Sequence, residues 1–380
     1  MDGDGLPLRD LRVVSLEHAV AAPLCTRHLA DLGADVVKVE HPGGGDLARG
    51  YDSVVAGQSA YFVWANRGKR SVALDLKRED DLATLGALLD RADVFVHNLG
   101  PGAVERLGLG REAVAAGRPR LIDCAISGYG ADGPYRDRKA FDLLVQGEAG
   151  LMSVTGTADE PCKVGISVAD MCAGMYALSS ILAALRERDR TGEGTFIDVS
   201  LLNCLAEWMM APAYHQLYGD GGPARTGARH NMMVPYGIYA VGDGRKVNLA
   251  VQSEGQWRRL CADVLRRPEL TDDPRYATNE ARVRHRDTLE ALLEAELSRL
   301  GPEESERRLR EADIPVGAVN DLAGLLEHPQ LRERWFEAGS PGGPVRALRP
   351  PFRLDGVTPR PGAVPALGEH TDEVRAELRG

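Results

Sequence analysis

From Leu11 to Ile126 short apolar runs alternate with longer amphipathic ones, and no other feature of this chain limits its fold as much. Leu11 to Leu16 reads as a buried strand, Pro23 to Leu32 as a helix stopping at Gly33, and Asp35 to Val39 as a second strand. The pattern returns as a strand over Ser71 to Leu74, a helix over Asp80 to Asp90 and a strand over Val94 to His97. A short helix near Gly102 to Leu107 and a strand over Leu121 to Ile126 follow. Strands joined through helices pair in parallel, so the expectation is an α/β fold whose parallel sheet carries helices on both faces.

Met171, Met175, Leu178, Leu182 and Leu185 recur at spacings of three and four and predict a helix over Met171 to Arg188, with its stripe facing a core. A turn at Thr191 to Gly194 leads to a strand over Phe196 to Val199 and a helix over Leu201 to Met210. Glycine and proline gather between Gly219 and Gly227. Beyond them come strands over Gly237 to Val241 and Val247 to Val251, with a turn signal at Asp243-Gly244, as a smaller second domain requires. Charged helices are expected over Glu254 to Leu265, Asp287 to Leu300 and Glu303 to Ala312, and the prolines from Pro341 to Pro365 predict an extended return segment.

The 380 residues allow one or two domains, and 43% hydrophobic with 27% charged residues is the composition of an ordinary globular chain. A formal charge of -10 argues against a nucleic-acid partner, since a polyanion would be repelled. Met1 to Asp10 holds no apolar leader, and no uninterrupted apolar run reaches membrane-spanning length, so a cytoplasmic protein with no membrane partner is expected. Cys25, Cys124, Cys162, Cys172, Cys204 and Cys261 form no CxxC pair and read as buried thiols. The nine histidines show no metal-ligand spacing, and no bound metal is expected.

Glu40, at the end of the second strand, resembles the acidic residue that holds a ribose in dinucleotide folds. The first turn, Glu17 to Pro23, nevertheless lacks the glycines that a pyrophosphate loop needs. Cations collect in the first 140 positions: Arg67, Lys69, Arg70, Lys77, Arg106, and Arg136 with Arg138 and Lys139. By spacing alone they are either a phosphate cradle or solvated surface charge. Asp170 falls at the expected start of the Met171 helix. It is there either a helix cap or a nucleophile kept ionised by free N–H groups, which could equally hold an oxyanion.

Five stretches in order, Leu29 to Glu40 with Pro42-Gly43, Asn66 to Lys77, Asn98 to Gly102, Lys163 to Met175, and Leu367 to Thr371, make the chain resemble the family III CoA transferases of the CaiB/BaiF and formyl-CoA type. The resemblance runs nearly end to end. It implies a large Rossmann-like CoA-binding domain from residues 1–205 completed by 321–380, a linker over 206–224, a small α+β domain over 225–320, and an interlocked homodimer. It implies coenzyme A and acyl-CoA as substrates, with no permanently bound cofactor. Position by position it assigns the nucleophile to Asp170 and CoA contacts to Ala19, Ala21, His41, Leu74, Lys77, Asn98, Leu99, Arg106 and Lys139.

The formyl-CoA enzymes' glycine-rich closing loop has no counterpart near Gly237 to Glu254, so what closes the site is left open. The superfamily's racemases place a histidine ahead of the aspartate. The matching stretch here, Lys139-Ala140-Phe141-Asp142-Leu143, has none, which argues for transfer over epimerisation; an acyl-CoA racemase or isomerase and a non-catalytic CoA-ester binder stand as the alternatives. Glu207 to Gly237 looks most like members handling succinate, mesaconate, itaconate or malate. On that reading Arg225, Arg229 and His230 hold a second carboxylate; otherwise the segment is a hinge.

Overall fold

A computed structural model describes residues 5–357 and 362–380; Pro359 and Pro361 of the proline-dense segment lie outside them. The chain falls into two compact units. The first is Met1–Gly150, Val164–Met209 and Arg332–Gly380, and the second is Leu151–Lys163 with Met210–Leu331.

The first unit opens with β1 (Arg12–Leu16), α1 (Ala21–Asp31), β2 (Asp35–Glu40), α2 (Ala60–Asn66), β3 (Arg70–Ala73), α3 (Glu79–Leu89) and β4 (Val94–His97). It continues through α4 (Ala103–Arg106), α5 (Arg111–Gly117), β5 (Ile122–Ser127), α6 (Asp142–Glu148), α7 (Val168–Thr191), β6 (Phe196–Ser200) and α8 (Leu201–Trp208). The six strands form one parallel sheet in the order β3-β2-β1-β4-β5-β6. The parallel pairing is what the alternation predicts, and the strand order is a doubly wound one.

β1 is covered on both faces, which is why it reads as an unbroken apolar run. On one face Val14, Val37, Val72 and Phe95 pack against Leu85 and Leu88 of α3. The other face meets α1 and α7, and there Ser15, Lys38 and Ser71 stand in register across three strands, all fully buried. α1 stops where expected: Gly33 has φ 108, and a Cβ there would lie 2.6 Å from Leu6.

α7 is the one described helix whose length and composition match a membrane span, yet it packs against α1, α6, α8, β5 and β6 as a core helix. All six cysteines are unpaired; Cys162, expected to be buried, is exposed next to the Gly156–Pro161 bridge.

The second unit holds α9 (Met210–Tyr218), β7 (Tyr236–Ala240), β8 (Lys246–Ala250), α10 (Glu254–Arg259), α11 (Asn279–Arg284), α12 (Arg286–Leu300), α13 (Pro302–Glu311), β9 (Val316–Ala318) and α14 (Leu322–Leu326). β7, β8 and β9 pair antiparallel, with Asp243-Gly244 in the turn as its sequence predicts. Tyr239, Leu249, Trp257, Leu289, Leu293 and Leu309 give this unit its own core. The chain then returns to the first unit as the hairpin β10 (Trp335–Ala338) and β11 (Val345–Leu348) and the helix α15 (Thr371–Arg379), whose Val374 enters the sheet core.

Candidate active site

A parallel sheet sends all its carboxyl ends to one edge, and the residues assigned to CoA collect there. Ala19 and Ala21 follow β1, His41 follows β2, Leu74 and Lys77 follow β3, and Asn98, Leu99 and Arg106 follow β4. Lys139 lies in the connection after β5. With neighbouring strands about 4.8 Å apart, the five strand ends span about 20 Å. Leu99 also lines a cavity of about 380 Å³ with His97, Gly102, Arg111, Asp123 and Phe196.

The first turn is held from beneath by buried charge. Ala19 sits at φ 63, a conformation costly for any residue with a Cβ, and its N–H donates to Asp46 Oδ1 at 2.9 Å. Asn98 clamps the preceding residue: its Oδ1 accepts the His18 N–H at 2.8 Å and its Nδ2 donates to the His18 carbonyl at 2.9 Å. Below them Lys38 donates to Asp46 at 2.7 Å, and Lys69 donates to Glu17 at 2.7 Å and Asn66 at 2.9 Å, all fully or nearly fully buried. Burial is the largest influence on Glu17 and works to raise its carboxyl, but the charges of Lys69 and Lys38 outweigh it and hold the group low. Burial dominates at Lys69 and brings it down to about 8.

These contacts sort the early cations. Lys69 belongs to the support just described, Arg67 is paired with buried Asp31, and Arg70 is bridged to Asp35 and Glu377, so none of the three presents a free charge to a phosphate. Lys77, Arg106 and Lys139 are exposed and make no ion pair among the described residues. Glu40 accepts from Arg49 Nε and Nη2 and from Ser71, which leaves it unavailable for a ribose. His41 is exposed, 3.8 Å from Asp75, and Leu74 is buried at its strand end.

Asp170 occupies the first turn of α7, three residues past the cap Ser167, so it is not itself the cap. One turn further on, a Cβ at Gly174 would lie 2.6 Å from the Ala21 carbonyl, so glycine lets the start of α7 lie directly on the start of α1 beside the first turn. The expectation that free helix N–H groups keep Asp170 ionised and can hold an oxyanion is corrected here. Asp142, the first residue of α6, accepts the N–H of Ala169 at 2.8 Å and that of Asp170 at 3.4 Å through Oδ1, and the Val168 N–H donates to Ile166. Burial, then the charge of Asp142, pushes Asp170 up to about 7.

Asp142 and Gln146 are the site residues that sequence reasoning passed over. Gln146, fully buried, donates to Asp142 Oδ2 at 2.7 Å and accepts the Val164 N–H at 2.9 Å, tying α6 to the loop ahead of Asp170. Their i, i+4 spacing puts both on one helix face, a signal present in the sequence but too short to stand out.

The residues offered for a second carboxylate all have partners within the second unit. Arg229 pairs with Glu290 and Glu294, donates to the Ile238 carbonyl and lies over the Tyr239 ring, so its charge is already answered. Arg225 donates to the carbonyls of Thr157 at 2.8 Å and Ala158 at 2.7 Å. His230 stacks on Tyr236 and accepts the Met232 N–H, and burial together with the Arg286 charge lowers its titration. Arg225 and Arg229 line a groove of about 1110 Å³ within the second unit, and their contacts are those of residues that shape it.

A doubly wound sheet with exposed cations at its carboxyl edge, no glycine-rich dinucleotide turn and a half-buried aspartate at a helix start is compatible with a class of protein that handles a phosphorylated ligand other than a dinucleotide. The profile of CoA-transferase family III matches residues 8–371, and the chain belongs to that family. It is 35% identical to the succinate–glutarate CoA-transferase of Agrobacterium fabrum, over 98% of this chain and 96% of the relative. It is 36% identical to the acetyl-CoA:oxalate CoA-transferase of Acetobacter aceti, again over 98% and 96%. Among solved structures, a CaiB/BaiF family protein from Brucella suis superimposes with a TM-score of 0.84 at 36% identity, covering 98% of this chain and 99% of that one. The protein is a CoA transferase whose substrates are CoA thioesters.

Proposed function

We propose that this enzyme transfers CoA between an acyl-CoA donor and a short dicarboxylic acid, with Asp170 as the nucleophile. The observation that carries the reading is the position of Asp170 at the start of α7, packed through Gly174 on the helix that follows the CoA-side first turn. Its carboxylate attacks the thioester carbonyl carbon; the C–S bond breaks and the thiolate leaves with the electron pair, giving an aspartyl anhydride. The thiolate then attacks the aspartyl carbonyl, the donor acid departs as carboxylate, and an aspartyl-CoA thioester remains. The acceptor carboxylate runs the two steps in reverse.

Lys77, Arg106 and Lys139 suit CoA's phosphates because no ion pair among the described residues neutralises them, and binding at that distance orients the thioester. Support for a dicarboxylate comes from relatives named for glutarate, oxalate and mesaconate. The reading includes a cytoplasmic homodimer.

Asp170→Asn is expected to retain fold and CoA binding while turnover falls about a thousandfold or more. Acyl-CoA followed by hydroxylamine should convert Asp170 alone in the wild type, read by peptide mass. A variant of near wild-type rate sinks the covalent route, and a screen in which monocarboxylates outperform succinate or glutarate sinks the substrate class.

A further inference from the structure

The contacts of Asp142 have a chemical meaning beyond tying two helices together. A carboxylate at a helix start is ordinarily stabilised by the first N–H groups and the positive end of the macrodipole, which lowers its basicity and its power as a nucleophile. At the start of α7 those N–H groups point instead at the Asp142 carboxylate, which accepts from Ala169 and Asp170. Asp142 is held in that place by Gln146, whose amide also donates to the Ile166 carbonyl at 3.3 Å and receives the Val164 N–H. One acid thus takes the donors that the other would use and sets a negative charge beside it.

Resting on the reading of Asp170 as nucleophile, we infer that Asp142, anchored by Gln146, is the positioning residue that keeps Asp170 a strong nucleophile by withholding the helix donors and opposing its charge. Acylation relieves the opposition. When the Asp170 oxygen bonds to the acyl carbon and the C–S pair leaves on the CoA sulfur, the negative charge moves from beside Asp142 to the departing thiolate. The repulsion is therefore present in the free enzyme and absent in the anhydride, an interaction that favours the chemical step over the ground state.

The titratable groups that act with Asp170 are Asp142 from α6 and the phenol of Tyr51 in the loop after β2, itself raised by burial and by Asp46 and Asp170. From α8, packed on α7, the free thiol of Cys204 faces that of Cys172, within hydrogen-bonding reach. α1 meets this end of α7 through Ala21 and Leu24.

The test is the pH dependence of kcat/KM, which reports groups of the free enzyme, for wild type, Asp142→Asn and Asp170→Asn with one acyl-CoA and one acid. Wild type should show an acid limb near pH 7. In Asp142→Asn the limb should move down by about one unit or more, and the plateau rate above it should fall on the order of three- to tenfold as the nucleophile weakens. A merely structural role would lower the rate and leave the limb in place. Asp142→Ser removes the charge with a smaller side chain and is read in the same way if the asparagine variant fails to fold.

A wild-type limb in the ordinary carboxylate range near 4, or one limb shared by wild type and the folded variant, overturns the inference. If Asp170→Asn is inactive and unlabelled while the limb is shared, the inference alone has failed. If Asp170→Asn turns over normally, the nucleophile reading has failed and takes the inference with it.

Discussion

Asp170 shows what one residue can and cannot disclose. Its type and its place at a helix start were readable, but its titration depends on burial and then on Asp142, 28 positions earlier, and no local pattern discloses either. The raised carboxyl also carries a stability consequence. Between about pH 4 and 7 the unfolded chain has already released the proton that the folded chain keeps, so stability falls as pH rises through that window, and the full penalty holds above it. Asp170→Asn should therefore be more stable than wild type at pH 8, by up to about 4 kcal/mol for a shift of about three units, with no gain near pH 4. Urea unfolding at the two pH values measures this, and a variant equally or less stable at pH 8 would show that burial does not oppress the carboxylate.

Among the elements, the six strands of the parallel sheet and the helices α1, α3 and α7 followed from the sequence pattern, but α7 buries Cys172, Ala177, Leu178, Ile181 and Leu185, and Met175 and Leu182 of the expected stripe are exposed. α2 and α6, of seven residues each, did not follow from the pattern, since two turns are too short for a stripe to repeat. Yet α6 delivers Asp142 and α2 delivers Asn66, so the least legible helices carry the support of the site. α12 makes the opposite point: its Glu290 and Glu294, one turn apart, receive Arg229 and turn an apparent substrate cation into a strut. Arg229→Ala should destabilise the protein by about 1–3 kcal/mol, because buried Glu290 is then left with Arg286 as its ion-pair partner. Its preference for dicarboxylic over monocarboxylic acids should be unchanged. Thermal melts and paired kcat/KM values check both halves, and a collapsed preference in a folded variant would return Arg229 to the substrate.

For the whole molecule, the stretch that presents Asp170 also exposes Phe141, Leu144 and Ile166, each more than half accessible, as a partner surface would. A homodimer predicts a mass of about twice 41.0 kDa in sedimentation equilibrium at micromolar concentration, and a single-chain mass would refute it. The sequence by itself determined the order of strands and helices, the rejection of a dinucleotide turn and the family, because alternation, missing glycines and motif order are properties of the chain read in line. Only the tertiary structure decided which charges are free. Lys69 and Lys77 lie eight positions apart in one cationic stretch, but Lys69 is buried on Glu17 and Lys77 stands in solvent after β3. Charge pairing depends on distance through space and on burial, and neither is written in the spacing of residues along the chain.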